Sequence, residues 1–179
     1  MNEADQLHGS DLVLLLLAAP TSVSSAIRQI NGITRLEKLL YLADRETSAS
    51  KVVSEDPLRF VTYDYGPFSK DVYEAVEILE ESGLVTEERF VNGQTVDDVE
   101  DARITGTVDD QEYVERRFTL TDQGDLVAGL LASKHPNVVV ELSQIKDEYA
   151  SRPLSSLIRY VYGAYPGDAV KSKIAHRFK

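Results

Sequence analysis

The chain of 179 residues contains no cysteine and no tryptophan. Without cysteine, disulfides and thiolate metal sites are excluded, and the reading is a protein of a reducing cytoplasm. Long apolar runs are also missing. The longest, Leu12 to Ala19, falls well short of the ~20 residues that span a bilayer. Glu3 and Asp5 precede it with no Lys or Arg, the opposite of a secretory leader. The expectation is a cytoplasmic protein that does not enter the membrane.

Catalytic and cofactor signatures are absent too. His8, His135 and His176 lie far apart with no ligand spacing. No serine sits in a nucleophile elbow, and no glycine-rich phosphate loop exists. Asp97, Asp98, Glu100 and Asp101 lack the glycine and spacing of a calcium loop, so they read as a solvated acidic connector. The expectation is no enzyme, no cofactor and no metal.

Positive charge is scarce: 19 Lys and Arg stand against 30 Asp and Glu, a net of −11. Neutralising phosphates drives most nucleic-acid affinity, and this chain repels them on average. Either the partner is not DNA, or the cations gather on one face. A high-salt cytoplasm would also account for the acidity.

What is present is a hydrophobic content of 42%, enough for a packed core. Ser10-Asp11 opens a first helix that is apolar all round from Leu12 to Leu17 and stops at Pro20. A short helix is expected from Ser22 to Ile30, ended by Asn31-Gly32. Thr34 to Glu37 reads as a capping box that starts a helix. Its inner face is Leu36, Leu39, Leu40 and Ala43, with Arg35, Lys38 and Arg45 pointing elsewhere. Ser48 to Pro57 is a polar loop and Leu58 to Tyr63 a strand. Gly66-Pro67 reads as a turn, and Ser69 as the cap of a helix that carries Val72, Ala75, Val76 and Leu79 inward. Gly83 is its left-handed stop.

Beyond Gly83 the pattern is β. Val85 to Val91 is a strand, Asn92-Gly93 a hairpin turn, and Arg103 to Val108 is expected to pair with Tyr113 to Leu120. Thr121 caps the next helix, with Leu126, Leu130 and Leu131 inward. Pro136 to Tyr149 is a helix, and Pro153 opens the last one, whose face is Leu154, Leu157, Ile158 and Val161. The fold class is mainly α with a small antiparallel β-element (α+β). One domain covers residues 1–168, its β-region about 85–120 and its helical C-terminal part 121–168. A basic tail covers 169–179.

The order helix, turn, helix, strand, hairpin, strand is that of a winged helix, with flanking helices. Arg116 to Gly124 looks like the strand-then-helix step that closes the wing in MarR-type and PadR-type regulators. The helix in the recognition position, Ser69 to Ser82, is a poor reader of DNA, since it holds Asp71, Glu74, Glu77, Glu80 and Glu81 against Lys70 alone.

Four segments in order resemble the Panacea-domain and SocA-like antitoxin group. They are Gly32–Leu42 (GITRLEKLLYL), Tyr63–Ser69 (YDYGPFS), Leu79–Leu84 (LEESGL) and Leu157–Pro166 (LIRYVYGAYP). Phe68 departs from the group, where many members carry a smaller aliphatic residue. The resemblance implies a helical domain with a small β-element that acts through protein–protein contact, in toxin neutralisation or in phage-defence and mobile-element settings, without enzymatic activity.

The expected partner-binding patch is Lys38, Tyr41, Tyr63, Tyr65, Gly66 and Pro67, because tyrosines bury area while keeping a polar tip. The same tyrosines could instead pack the turn onto the core. Arg116 and Arg117, with Lys171, Lys173, Arg177 and Lys179 of the tail, are candidate nucleic-acid contacts. The partner expected first is another protein. The alternative is DNA, bound by a winged-helix regulator in homodimeric form.

Overall fold

A computed structural model of the chain describes residues 6–53, 57–63, 66–97, 99–104, 106, 109, 111–170, 172, 173 and 176. It is mainly helical with a small antiparallel sheet, an α+β fold. Among the described residues no helix is long and apolar enough to cross a membrane.

The core is organised around helix α1 (Gly9–Ala18), whose Leu12 to Leu17 are all buried. Asp11 opens it by accepting the His8 backbone N–H at 2.9 Å. The elements packed most closely on α1 are α4 (Lys70–Glu81), α6 (Asp122–Lys134) and α7 (Pro136–Tyr149). A helix surrounded in this way has no polar face to spare, which is why its sequence shows no amphipathic period.

The far end of α1 is held by a buried cation. Lys146 of α7 donates to the carbonyls of Leu17 at 2.6 Å and Ala19 at 3.1 Å. These carbonyls lack intrahelical donors, and positive charge suits a helix C-terminus. Burial pulls the Lys146 ammonium down to about 8, against an opposing pull from Asp147. Asp147 then accepts from Thr21 Oγ1 at 2.6 Å and from the Ser22 N–H at 2.9 Å, pinning the chain beyond Pro20.

The segment expected as a second helix is a short 3₁₀ turn, Ser24–Ala26, followed by strand β1 (Gln29–Asn31). Tertiary pairing decides this. Gln29, Ile30 and Asn31 lie opposite Thr119, Phe118 and Arg117 of β6 (Val114–Leu120), and Ile30 is buried. Helix α2 (Ile33–Glu46) follows, and then a short helix α3 (Ala49–Val52) inside the expected polar loop. The capping box is not made, because no side chain caps α2 and Glu37 turns inward instead.

Strands β2 (Val61–Tyr63) and β3 (Gly66–Phe68) form an antiparallel pair. Gly66-Pro67 therefore lies within a strand rather than forming the turn. Helix α4 begins after Ser69, whose side chain makes no capping bond, and ends as read. Gly83 has φ +69°, and the Gly83 and Leu84 N–H groups donate to the carbonyls of Glu80 and Leu79. That double bond pattern is a Schellman motif.

The main sheet has the order β1-β6-β4-β5, with β4 at Val85–Val91 and β5 at Gln94–Thr95. Asn92 and Gly93 both have positive φ, as the predicted two-residue hairpin requires. Arg103 does not enter a strand. Val99–Ile104 is a short helix, α5, and β6 pairs with β4 and β1 instead.

Thr121 caps α6 by accepting the Gly124 N–H at 2.9 Å. The buried residues of α6 are Gly124 and Ala128, while the expected inner residues Leu126 and Leu130 face solvent. The reason is closeness at the start of the helix. A Cβ on Gly124 would overlap the Leu84 carbonyl oxygen and press on Leu120, so the first turns of α6 sit too near their neighbours for a large side chain, while the expected inner residue Leu131 is partly buried against the core. Helix α8 (Leu154–Ala164) follows α7, with Pro153 one position ahead of it rather than inside. Leu157, Ile158, Val161 and Tyr162 are its buried face, and Leu154 is partly buried. A 3₁₀ turn at Pro166–Ala169 closes the described fold, with Ala169 already in the core.

Two outcomes follow. Gly124→Ala should destabilise the fold by about 2 kcal/mol through overpacking. Gly129→Ala, in the same helix with nothing near its added methyl, should stabilise it by about 0.5–1 kcal/mol. Urea denaturation of both variants reads the contrast. For Lys146 the folded ammonium releases its proton near 8, against an ordinary 10.5. Between those values the unfolded chain binds more protons, so the penalty of burying the charge is relieved as pH rises. The stability difference between the native chain and Lys146→Met should therefore shift in favour of the native chain from pH 8 to 10.

Candidate functional site

Helix α2 is buried almost all round from Leu36 to Ala43, and two of its buried residues, Glu37 and Lys38, are charged. Isolated charges are not tolerated at such depth, so each must be paired. Lys38 Nζ lies 2.8 Å from Glu37 Oε2 and also donates to the Pro67 carbonyl. Glu37 Oε1 accepts the Ser69 backbone N–H at 3.0 Å. One ion pair on α2 thus ties down both the end of β3 and the start of α4. The Ser69 hydroxyl is buried beside these contacts and has no hydrogen-bond partner among the described residues.

Above the pair opens a cavity of about 400 Å³. Its floor is Thr34, Glu37 and Lys38, and β2 and β3 supply Tyr63, Gly66, Pro67 and Phe68. Tyr73 of α4 and Leu154 and Ile158 of α8 complete the wall. Phe68 is the hinge of the aromatic side, with ring centroids 5.3 Å from Tyr63 and 5.6 Å from Tyr73. Burial, and then the Glu37 carboxylate, push the Tyr73 phenol up, against a downward pull from Arg116. The lining is therefore aromatic and aliphatic, with one neutralised polar patch at the base. Such a site suits an apolar group more than an ion.

Gly66 is dictated by packing as well as by its φ of +89°. Any Cβ there would run into the Tyr162 ring of α8. The Tyr162 hydroxyl is 2.7 Å from Ser172 Oγ. The edge of the cavity is thus locked against the C-terminal helix and the segment after it.

Of the predicted patch, Lys38, Tyr63, Gly66 and Pro67 meet at this cavity. Tyr63 is the exposed member, at 54%, and Tyr65 lies outside the described residues. Lys38 is fully buried, contrary to the expectation that it points away, because it has a carbonyl and a carboxylate to satisfy. Tyr41 is not on the patch. It is buried beneath Phe60 and Tyr165 in edge-on contacts of 5.2 and 5.3 Å. Its hydroxyl donates to Asp168 at 2.5 Å, and Arg45 reaches the same carboxylate at 3.2 Å.

Thr34, Glu37, Phe68, Tyr73, Leu154 and Ile158 were missed as site residues. One signal was available for Glu37. It stands four residues before the buried Tyr41 and one residue after the buried Leu36, on the side of α2 that turns to the core.

The candidate nucleic-acid residues are placed as follows. Arg116 makes a two-pronged contact with Glu87, at 2.7 and 2.9 Å, and its guanidinium lies over Phe118. Arg89 sits directly opposite Arg116 in the ladder, and Glu87 joins the two like charges by accepting from both. Burial works to raise the Glu87 carboxyl, but the hydrogen bonds from Arg116 and Arg89 outweigh it and hold the group low. Arg117 lies over Phe90, donates to Asn31 and reaches Glu88 at 3.7 Å. Both arginines are therefore spent on the sheet. Lys173 is exposed, while Lys171, Arg177 and Lys179 lie outside the described residues. On α4, Glu74, Glu77, Glu80 and Glu81 are exposed around an exposed Ile78. Among the described residues no group of three or more His, Asp or Glu could hold a metal ion.

No protein-family model matches the chain, and no curated protein sequence matches it either.

The ion pair makes a quantitative statement. Removing either partner alone, by Glu37→Gln or Lys38→Met, strands a buried charge and should cost about 3–5 kcal/mol. The double variant should cost clearly less than the two singles together, since no lone charge remains. A urea-denaturation cycle over the four chains measures this coupling.

Proposed function

We propose that this chain is a non-enzymatic binding protein that acts through protein–protein contact, antitoxin-like or associated with phage defence, in the cytoplasm. The observation that carries the reading is the aromatic cavity between α2, the β2–β3 pair and α8. Its size suits one large apolar side chain of a partner. Its exposed Tyr63 offers rim area with a polar tip, of the kind that interfaces favour. The net charge of −11 favours a cationic partner and speeds its approach. The resemblance of the YDYGPFS and GITRLEKLLYL segments to antitoxin-like proteins points the same way, and these are the segments that build the cavity.

A second reading is a winged-helix DNA-binding regulator. The feature in its favour is the order of elements, with α4 followed by the β4–β5 hairpin and by β6 returning between β1 and β4. Against it stand the glutamates on the outer face of α4 and the engagement of Arg116 and Arg117 within the sheet. A helix so charged repels the phosphates on both sides of a groove.

The test is affinity capture from host extract with the native chain and with Tyr63→Ala, both verified as folded by circular dichroism. The native chain should retain a basic protein that elutes as salt is raised. Tyr63→Ala should hold that protein at least about tenfold more weakly, the scale of an interface hot spot. The reading fails if the chain retains no protein and instead shifts its own upstream DNA at moderate salt.

A further inference from the structure

A second cavity, of about 360 Å³, opens where the start of α2 meets the start of β6 and the turn between α7 and α8. It borders the aromatic cavity through Thr34 and Leu154, which line both. Its character is different. Ser25, Thr34 and Ser151 bring hydroxyls, Tyr113 brings a phenol, and Arg35 and Glu115 bring opposite charges.

Arg35 is half-buried. Its Nη1 donates to the carbonyls of Tyr149 at 3.0 Å and Arg152 at 2.7 Å, while its Nε and Nη2 have no acceptor among the described residues. Burial pulls the guanidinium down from the ordinary arginine value, with no carboxylate opposing the shift. Elsewhere the fold shows what that edge of an arginine takes. Arg59 holds Asp71 through Nε and Nη2, each at 2.9 Å, and Arg116 holds Glu87 through the same two atoms at 2.7 and 2.9 Å. Two parallel N–H groups in one plane match the two oxygens of one carboxylate. Arg35 keeps this fork uncommitted.

Glu115, near the start of β6, is exposed and makes no hydrogen bond or ion pair among the described residues. It lines the same cavity as Arg35 without reaching it. Two opposite charges on the walls of one space select a ligand that carries both. A phosphate or another dianion is repelled by Glu115 and by the net charge of −11. A simple cation meets Arg35. A zwitterion escapes both penalties, because it has no net charge and each of its ends finds its opposite.

We propose that this cavity binds a free α-amino acid, its carboxylate on the Nε–Nη2 edge of Arg35 and its ammonium at Glu115. In a free amino acid both charges hang from a single carbon, so both fall within one small cavity. A peptide carries them at opposite ends. The site does not use Tyr63 and stands independently of the partner contact proposed for the aromatic cavity.

Isothermal titration calorimetry of the full native chain with each common L-α-amino acid in turn tests this. At least one should bind saturably, one ligand per chain. For that amino acid, acetylating the ammonium or converting the carboxylate to its amide should each weaken binding about tenfold or more, the scale of a hydrogen bond to a charged group. Glu115→Gln should weaken the parent amino acid to the same extent yet leave the acetylated form unaffected. Arg35→Lys keeps the charge and loses the fork, so it should weaken the parent about tenfold while sparing the amide. These pairings of variant with ligand are not produced by a merely structural effect. Arg35 also holds the end of α7, so if Arg35→Lys fails to fold, the exposed Glu115→Gln decides. Tyr63→Ala should bind the amino acid as the native chain does. The inference is overturned if no amino acid binds, or if the blocked forms bind as tightly as the parent. It is equally overturned if Glu115→Gln binds as the native chain does, or if sodium acetate or phosphate binds as tightly as any amino acid, which marks an ordinary anion site.

Discussion

The ion pair of Glu37 and Lys38 is the constraint on which the functional half of the molecule depends. Two opposite charges on neighbouring residues of one helix cannot face each other well through geometry alone. They meet here because each also has a backbone group to satisfy, the Ser69 amide for Glu37 and the Pro67 carbonyl for Lys38. Both groups belong to the junction of β3 and α4. The pair therefore fixes where the strand ends and where the helix begins. The cavity is the space left between that junction and α8. A fully apolar α2 would pack equally well on α1 but would leave the amide and the carbonyl without partners.

A second level of organisation is the use of charged side chains at helix ends, buried at Lys146 and part-buried at Arg35. Lys146 satisfies the last carbonyls of α1, and Arg35 of α2 does the same for α7, donating to the carbonyls of Tyr149 and Arg152. Asp168 gathers Tyr41 and Arg45 beneath the C-terminal turn. Glu46 accepts from the hydroxyls of Tyr160 and Tyr165, each at 2.9 Å. The acidic excess on the exterior thus coexists with buried charges, Glu37, Lys38 and Lys146, that each have hydrogen-bond partners. Surface repulsion and internal pairing answer to different dielectric environments, so one does not forecast the other.

Legibility in the sequence followed the range of the signal. The stop at Gly83, the Asn92-Gly93 turn, the Thr121 cap and the faces of α4, α7 and α8 rest on residues within one turn of each other, and all of them were readable. Strand β1 was not, because Gln29 to Asn31 become a strand only through β6, nearly ninety positions away. The inward turn of Glu37 was hidden by a local pattern that mimics a capping box. The outward leucines of α6 were hidden because the close approach that excludes them is set by Gly124 against Leu84. Four of the ten residues that line the cavity, Lys38, Tyr63, Gly66 and Pro67, were named in advance. Of the rest, Tyr73, Leu154 and Ile158 required knowing that α4 and α8 lean on the β2–β3 pair, and Thr34, Glu37 and Phe68 required knowing how α2 and β3 face each other.

The adjacency of Glu37 and Lys38 also bears on how such a molecule can change over generations. Either substitution alone strands a charge in the core, so a lineage that alters one position passes through a poorly folded ancestor. Altering both together avoids that valley, and neighbouring codons are the easiest two to change or exchange as a unit. Change at the cavity floor is therefore coupled between two positions, whereas Tyr63, exposed at the rim, can change without stranding a charge. A scaffold of this kind can exchange one partner for another at its edge without renegotiating its foundation.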